Sequence, residues 1–152
     1  MANICVVGGG PAGAMAACAA ASCGNKVTLI ERNEEPFKKL LLTGSGKCNY
    51  SNSDLKSDSY NFGQNHPFWK VLSELDSDWL EEFFKEKGML TYKKDSLKYP
   101  RSERSDTVKK LLCSMLMMKK LRLLQEKKRY QSKKQVKALQ TESIIKKRSI
   151  SS

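Results

Sequence analysis

The sequence predicts an α/β fold that opens on a β-α-β unit, and three observations predict it. Asn3-Ile4-Cys5-Val6-Val7 is a short apolar run ending at a glycine cluster, as a buried parallel strand does. Pro11 to Cys23 is Ala-rich and reads as a helix, with Pro11 suited to its first turn and Gly24 just past its end. Lys26-Val27-Thr28-Leu29-Ile30-Glu31 is β-branched, apolar and closed by an acid, which makes it a second strand.

The pattern then loosens. Residues 32–65 are rich in Gly, Ser and Asn and read mostly as loop, with a short helical turn at Phe37–Leu42. A short helix is expected over Trp69–Leu75. Asp78-Trp79-Leu80-Glu81 resembles a capping box; Trp79, Leu80, Phe83 and Phe84 then form an apolar face, and Gly88 supplies the stop. Met89–Tyr92 and Leu97–Tyr99 are expected to be two short strands around a Lys93-Lys94-Asp95 turn. Ser105 can cap a last helix in which Val108, Leu111, Leu112, Met115 and Leu116 share one face.

The chemistry lies between the first strand and the first helix. Gly8-x-Gly10-x-x-Gly13 provides a tight turn, a backbone that a pyrophosphate can approach, and close helix–strand packing. The N–H groups and positive dipole end of the helix then face phosphates. Glu31 closes the second strand, where a carboxylate accepts hydrogen bonds from a ribose hydroxyl pair and disfavours a 2′-phosphate. Strand, glycines, helix and terminal acid together specify a Rossmann-like dinucleotide site. The fingerprint alone leaves FAD and NAD open.

The residues that follow choose between them. Val7-Gly8-Gly9-Gly10-Pro11-Ala12-Gly13 with Glu31-Arg32-Asn33 is similar to the N-terminus of two-dinucleotide flavoproteins. Lys38 to Asn52, which contains Thr43-Gly44-Ser45-Gly46-Lys47-Cys48-Asn49, resembles a segment of the NAD(P)/FAD-dependent oxidoreductases that include aminoacetone oxidase-like and bile-acid reductase (BaiN)-like members. Tyr99-Pro100-Arg101-Ser102 followed by Asp106-Thr107-Val108 resembles a later segment of that family, so the likeness covers about residues 3–112. The resemblance implies bound FAD, NAD(P)H as electron donor in the full-length family, a small-molecule substrate and an inserted β-rich domain. It implies that Gly8, Gly10, Pro11, Ala12 and Gly13 meet the pyrophosphate. Glu31, with Arg32 beside it, would meet the adenosine ribose, while Lys39, Gly44, Gly46, Lys47, Cys48 and Asn49 would line the path toward the flavin. Lys47 stands where the family more often has arginine, which loses the planar fork. By its residues alone, Gly44-Ser45-Gly46 between Lys39 and Lys47 is a flexible turn suited either to an anion or to an ordinary surface.

Charge divides the chain. Its formal net charge is +12. Residues 1–108 carry 14 basic and 14 acidic side chains, whereas residues 109–152 carry 14 basic against Glu126 and Glu142 alone. Residues 1–112 are therefore expected to be the N-terminal portion of the dinucleotide-binding domain. Residues 113–152 are expected to be a basic, non-native or poorly ordered tail of a truncated or frameshifted reading, and the chain as a whole is expected to be inactive alone. Two alternatives stand beside the FAD reading: an NAD-binding dehydrogenase fragment, and a small basic nucleic-acid-binding protein. The second is disfavoured because only Tyr130 interleaves aromatic character with the basic run.

Five cysteines without a C-x-x-C pair, and one histidine, point to neither a disulfide framework nor a metal cluster. The apolar opening has no basic leader and no run long enough to span a bilayer, so a cytoplasmic location is expected. His66 reads as a loop or helix-start residue, Cys48 as a small structural residue inside the cofactor loop, and Trp69, Trp79, Phe83 and Phe84 as core. No catalytic acid, base or hydride acceptor is readable in this stretch.

Overall fold

The computed structural model describes residues 1–56, 59–61, 66–119 and 122–125. In order these form β1 (Asn3–Val7), α1 (Pro11–Ser22), β2 (Lys26–Glu31), a 3-10 segment (Leu40–Gly46) and β3 (Ser51–Asn52). There follow α2 (Phe68–Glu74), α3 (Ser77–Glu86), β4 (Thr91–Lys94), β5 (Leu97–Pro100), α4 (Ser105–Met118) and β6 (Arg122–Gln125).

Two sheets result. The first is parallel, in the order β1-β2-β6. Asn3 stands opposite Lys26 and Val7 opposite Ile30, while Thr28 stands opposite Arg122 and Glu31 opposite Gln125. Strand β2 is therefore hydrogen-bonded on both edges. The second sheet is antiparallel, in the order β3-β5-β4. Parallel pairing needs a crossover, and α1 and α4 are the helices that precede β2 and β6.

The core explains why α1 is so rich in alanine. Ala14 and Ala17 are buried with only a methyl group each, which lets α1 pack closely on β1 and β2. Helix α4 supplies the bulk: Val108, Leu112, Met115 and Leu116 are all buried, on the expected face. Val27 and Leu29 of β2 complete this layer, and Phe84 and Met89 join it from α3 and the turn after it.

Several local expectations change. The N-cap of α3 is Asp76, whose carboxylate accepts from the N–H groups of Asp78 and Trp79. Asp78 and Glu81 instead face Lys98, because a nearly buried ammonium on β5 needs carboxylates more than the helix end does. The β4–β5 turn is centred on Asp95, at φ +54°, so β4 runs to Lys94, two residues closer to the turn than expected, while β5 begins at Leu97 as expected. Ser105 does not cap α4; its hydroxyl donates to the Leu41 carbonyl at 3.1 Å and ties the helix to the 3-10 segment. Ser51–Asn52, read as loop, pairs with β5.

The boundary after Leu112 falls inside a helix. α4 continues to Met118, and β6 then adds a third parallel strand where two were expected. The stretch 126–152 of the expected basic tail lies outside the described residues. Among the described residues no helix is long and apolar enough to cross a membrane.

Candidate functional site

The glycine loop and the end of β2 meet at one cleft. Gly8 ends β1 at φ +105° and donates its N–H to the Ile30 carbonyl at 2.8 Å. Gly10 is the N-cap of α1, with extended backbone and no side-chain cap; Pro11 opens the helix, and its first turn holds no acidic residue. The positive helix end is thus left for an anion. Gly13 lies one turn in, where a Cβ would stand 1.9 Å from the Gly8 carbonyl oxygen. At Gly10, by contrast, an added Cβ would meet no heavy atom within 4 Å, so the space over the N-cap is open. One glycine serves packing and the other keeps an approach clear.

Glu31 sits beside this loop, only 6% exposed. One carboxylate oxygen accepts from the Gly9 N–H at 2.6 Å, and the other from the Asn33 N–H at 2.8 Å and from its side-chain amide. Burial pushes its pKa up, but the hydrogen bonds from Asn33 and Gly9 outweigh burial and leave it below the usual carboxylate range. The acid is therefore held ionised and aimed, and it organises the loop as well as offering an acceptor. A side chain at Gly9 would strike it, with a Cβ 2.9 Å from the Glu31 side chain.

These groups line a cleft of about 420 Å³. Of the residues the sequence nominated, Gly8, Gly10, Pro11, Glu31, Arg32 and Lys39 line it. Ala12 and Gly13 form the first helical turn beside it. Seven further lining residues carried no nomination, among them Gly9, Asn33, Phe37 and Lys38. Gly9 was hidden as a variable position of the fingerprint. The Glu-x-Asn spacing was the available signal for Asn33, whose backbone and side-chain N–H groups both donate to the Glu31 carboxylate. Nothing in the sequence flags Phe37.

The rest of the nominated segment is placed elsewhere. Leu40 lines the cleft and starts the 3-10 segment, which leads away from it. Thr43 is extended there, Gly44 and Ser45 are left-handed in succession, and Gly46 and Cys48 also have positive φ. A Cβ at Gly44 would stand 2.8 Å from the Asn49 nitrogen, so this turn is tight rather than merely flexible. Gly44, Gly46, Lys47, Cys48 and Asn49 are not among the residues lining the cleft. Lys47 reaches Glu103 at 2.7 Å, and Glu103 also accepts from the Tyr92 hydroxyl at 2.8 Å. Cys48 is 1% exposed and burial pushes its thiol up, so its side chain belongs to the core. His66 Nδ1 accepts from the Phe68 N–H at the start of α2, a helix-start role. Among the described residues no group of three or more His, Cys, Asp or Glu side chains is arranged to hold a metal.

The family model described as HI0933-like protein Rossmann domain matches residues 2–151. The chain is 35% identical over 126 residues to the 3-dehydro-bile acid delta(4,6)-reductase of Clostridium scindens, covering 81% of this chain and 31% of that protein. It is 31% identical over 74 residues to the ribosomal RNA dihydrouridine synthase of Escherichia coli, covering 49% of this chain and 18% of that one. Among solved structures, Thermovibrio ammonificans THI4 superposes with a TM-score of 0.52 at 14% identity, over 81% of this chain and 38% of its own. That likeness concerns the fold. The chain spans less than two fifths of each of these relatives.

Proposed function

The chain belongs to the HI0933-like Rossmann-domain family, a family of FAD-binding flavoproteins, and we propose that its cleft holds the adenosine diphosphate end of FAD. The observation that carries this is the uncapped, acid-free N-terminus of α1 beside an ionised, buried Glu31. Phosphate oxygens would take the N–H groups at the start of α1, those of Gly10, Ala12 and Gly13, with Lys39 at the rim. The ribose hydroxyls would donate to Glu31, whose oxygen facing the Gly9 N–H carries one hydrogen bond and retains acceptor capacity. The cleft volume lies in the ordinary range for small-ligand sites, roughly 300–1,000 Å³, and suits the adenosine half of the cofactor.

The isoalloxazine end of FAD, which would supply two-electron chemistry when bound, would extend past this cleft. We assign the approach to it to the Gly44–Asn49 turn and to parts of the longer relatives that lie beyond the chain described here. The two curated relatives named above carry names that describe the saturation of a carbon–carbon double bond. The full-length protein is accordingly assigned to flavin-dependent reduction of such bonds; the family resemblance adds NAD(P)H as electron donor and a small-molecule substrate to this proposal.

Nucleotide titration of the 152-residue chain tests this reading. ADP and FAD should both bind and compete with one another, FAD should be retained weakly through gel filtration, and no substrate turnover should accompany it. Thermal stabilisation by NAD with none by FAD would replace the reading with that of a nicotinamide site. Binding of neither nucleotide would refute it.

A further inference from the structure

We propose that Phe37 is a positioning residue for the pyrophosphate loop: its left-handed backbone, wedged by a buried ring, holds the peptide between Gly9 and Gly10. Phe37 has φ +67°, a conformation that a bulky L-residue rarely adopts. Such a residue persists where its surroundings over-determine it. Here they do. The ring is 2% exposed within the core. The Phe37 carbonyl accepts the Leu40 N–H at 3.0 Å, and two residues before it Glu35 pairs with Lys109 of α4 at 2.6 Å. The Phe37 N–H, directed by that backbone, donates to the Gly9 carbonyl at 3.0 Å.

The loop is thereby held at two successive peptides. The Gly8–Gly9 peptide is held through its N–H by Glu31, and the Gly9–Gly10 peptide through its carbonyl by Phe37. In a trans peptide the carbonyl and the following N–H point in opposite directions. Fixing the Gly9 carbonyl on Phe37 therefore fixes the direction of the Gly10 N–H, the N-cap donor of α1. The loop is set before any ligand arrives, so less ordering accompanies binding. The last step rests on the nucleotide reading above; the clamp itself does not.

The test uses the isotopically labelled 152-residue chain. A scalar coupling across the hydrogen bond between the Phe37 N–H and the Gly9 carbonyl is expected without ligand, together with slow amide exchange at Phe37. Phe37→Gly relaxes the backbone and deletes the wedge. It should speed exchange at this amide and weaken ADP binding by roughly five- to tenfold, the worth of about one ordering hydrogen bond. Phe37→Leu keeps the wedge and should stay within about twofold of wild type in ADP affinity. Absence of the coupling overturns the proposal. So does a folded Phe37→Gly that is less thermostable yet unchanged in exchange and ADP affinity. If Phe37→Gly does not fold, the wild-type coupling and the Phe37→Leu affinity decide. Coupling present in a wild-type chain that binds no ADP supports the clamp and removes the nucleotide reading.

Discussion

Replacing Gly13 and Gly10 with alanine, one at a time, separates what the glycine loop does for the fold from what it does for a ligand. At Gly13 the added Cβ would lie 1.9 Å from the Gly8 carbonyl oxygen. A close carbon–oxygen contact is roughly 3.3 Å, so α1 and β1 must part by more than 1 Å. The obstructing atom is backbone, and the Gly8 N–H is tied to Ile30, so neither side yields by a rotamer change. Overpacking typically costs 1–3 kcal/mol, and a rigid obstruction puts Gly13→Ala near the top, at about 3 kcal/mol. For a chain of this size that lowers Tm by roughly 6–12 °C. At Gly10 the φ of −79° suits alanine and no atom lies within 4 Å. Gly10→Ala should therefore stay within about 1 kcal/mol of wild type in stability. Its methyl would stand where the proposed site would admit a phosphate, and ADP affinity should fall at least tenfold, which is about 1.4 kcal/mol. Thermal unfolding followed by circular dichroism and ADP titration by calorimetry read the two effects separately. A Gly13→Ala chain melting within about 2 °C of wild type, or a Gly10→Ala chain binding ADP normally, would refute the division of labour.

Two further substitutions probe charge. Glu31→Gln turns the charge-assisted bond to the Gly9 N–H into a neutral one and should cost about 1–2 kcal/mol at neutral pH. Because the Glu31 pKa is lowered on folding, its contribution is complete above the unfolded value and fades as pH falls through the folded one. The gap between wild-type and variant urea midpoints should therefore narrow on acidification; a gap that widens would contradict this. Lys98, its side chain 3% exposed, holds Glu81 at 2.7 Å and also Asp78. Lys85 and Lys98 together pull Glu81 down to about 2. Stability should accordingly be lost between pH 4.5, the ordinary glutamate value, and about 2. Lys98→Met should be about 1–3 kcal/mol less stable at neutral pH but show a shallower acid loss. Acid titrations that run parallel for the two proteins would rule out the Lys98 contribution.

The parts of the fold legible in the sequence are those whose signal is local. The β1-α1-β2 unit declares itself through apolar runs, the glycine cluster and Pro11, each a short-range preference of the backbone. The apolar face of α4 is equally plain, because Val108, Leu112, Met115 and Leu116 follow helical spacing and are buried together. What escaped depends on distant partners. Ser105 looks like a cap until the Leu41 carbonyl is brought to it. The two-residue strand Ser51–Asn52 exists only because β5 runs alongside. β6 is short, follows a lysine-rich stretch and is specified by β2 rather than by its own composition. At the candidate site, the glycines and Glu31 are readable because their geometry is a property of one turn and one strand end. Asn33 and Phe37 act across the fold of the loop, and Lys47, grouped with the cofactor segment by proximity in sequence, is drawn instead to Glu103.

The pairing of β2 on both edges has a consequence for motion. Glu31 ends a strand flanked by β1 on one side and by β6 on the other, with Gln125 directly opposite it. Amides in a central strand exchange only when a neighbour peels away, so the slowest-opening part of the parallel sheet is the one that carries the acid. The glycine loop inherits that stillness through the Gly9 N–H. A stretch of chain far downstream, contributing no atom to the cleft lining, thereby sets how long the cleft keeps its shape.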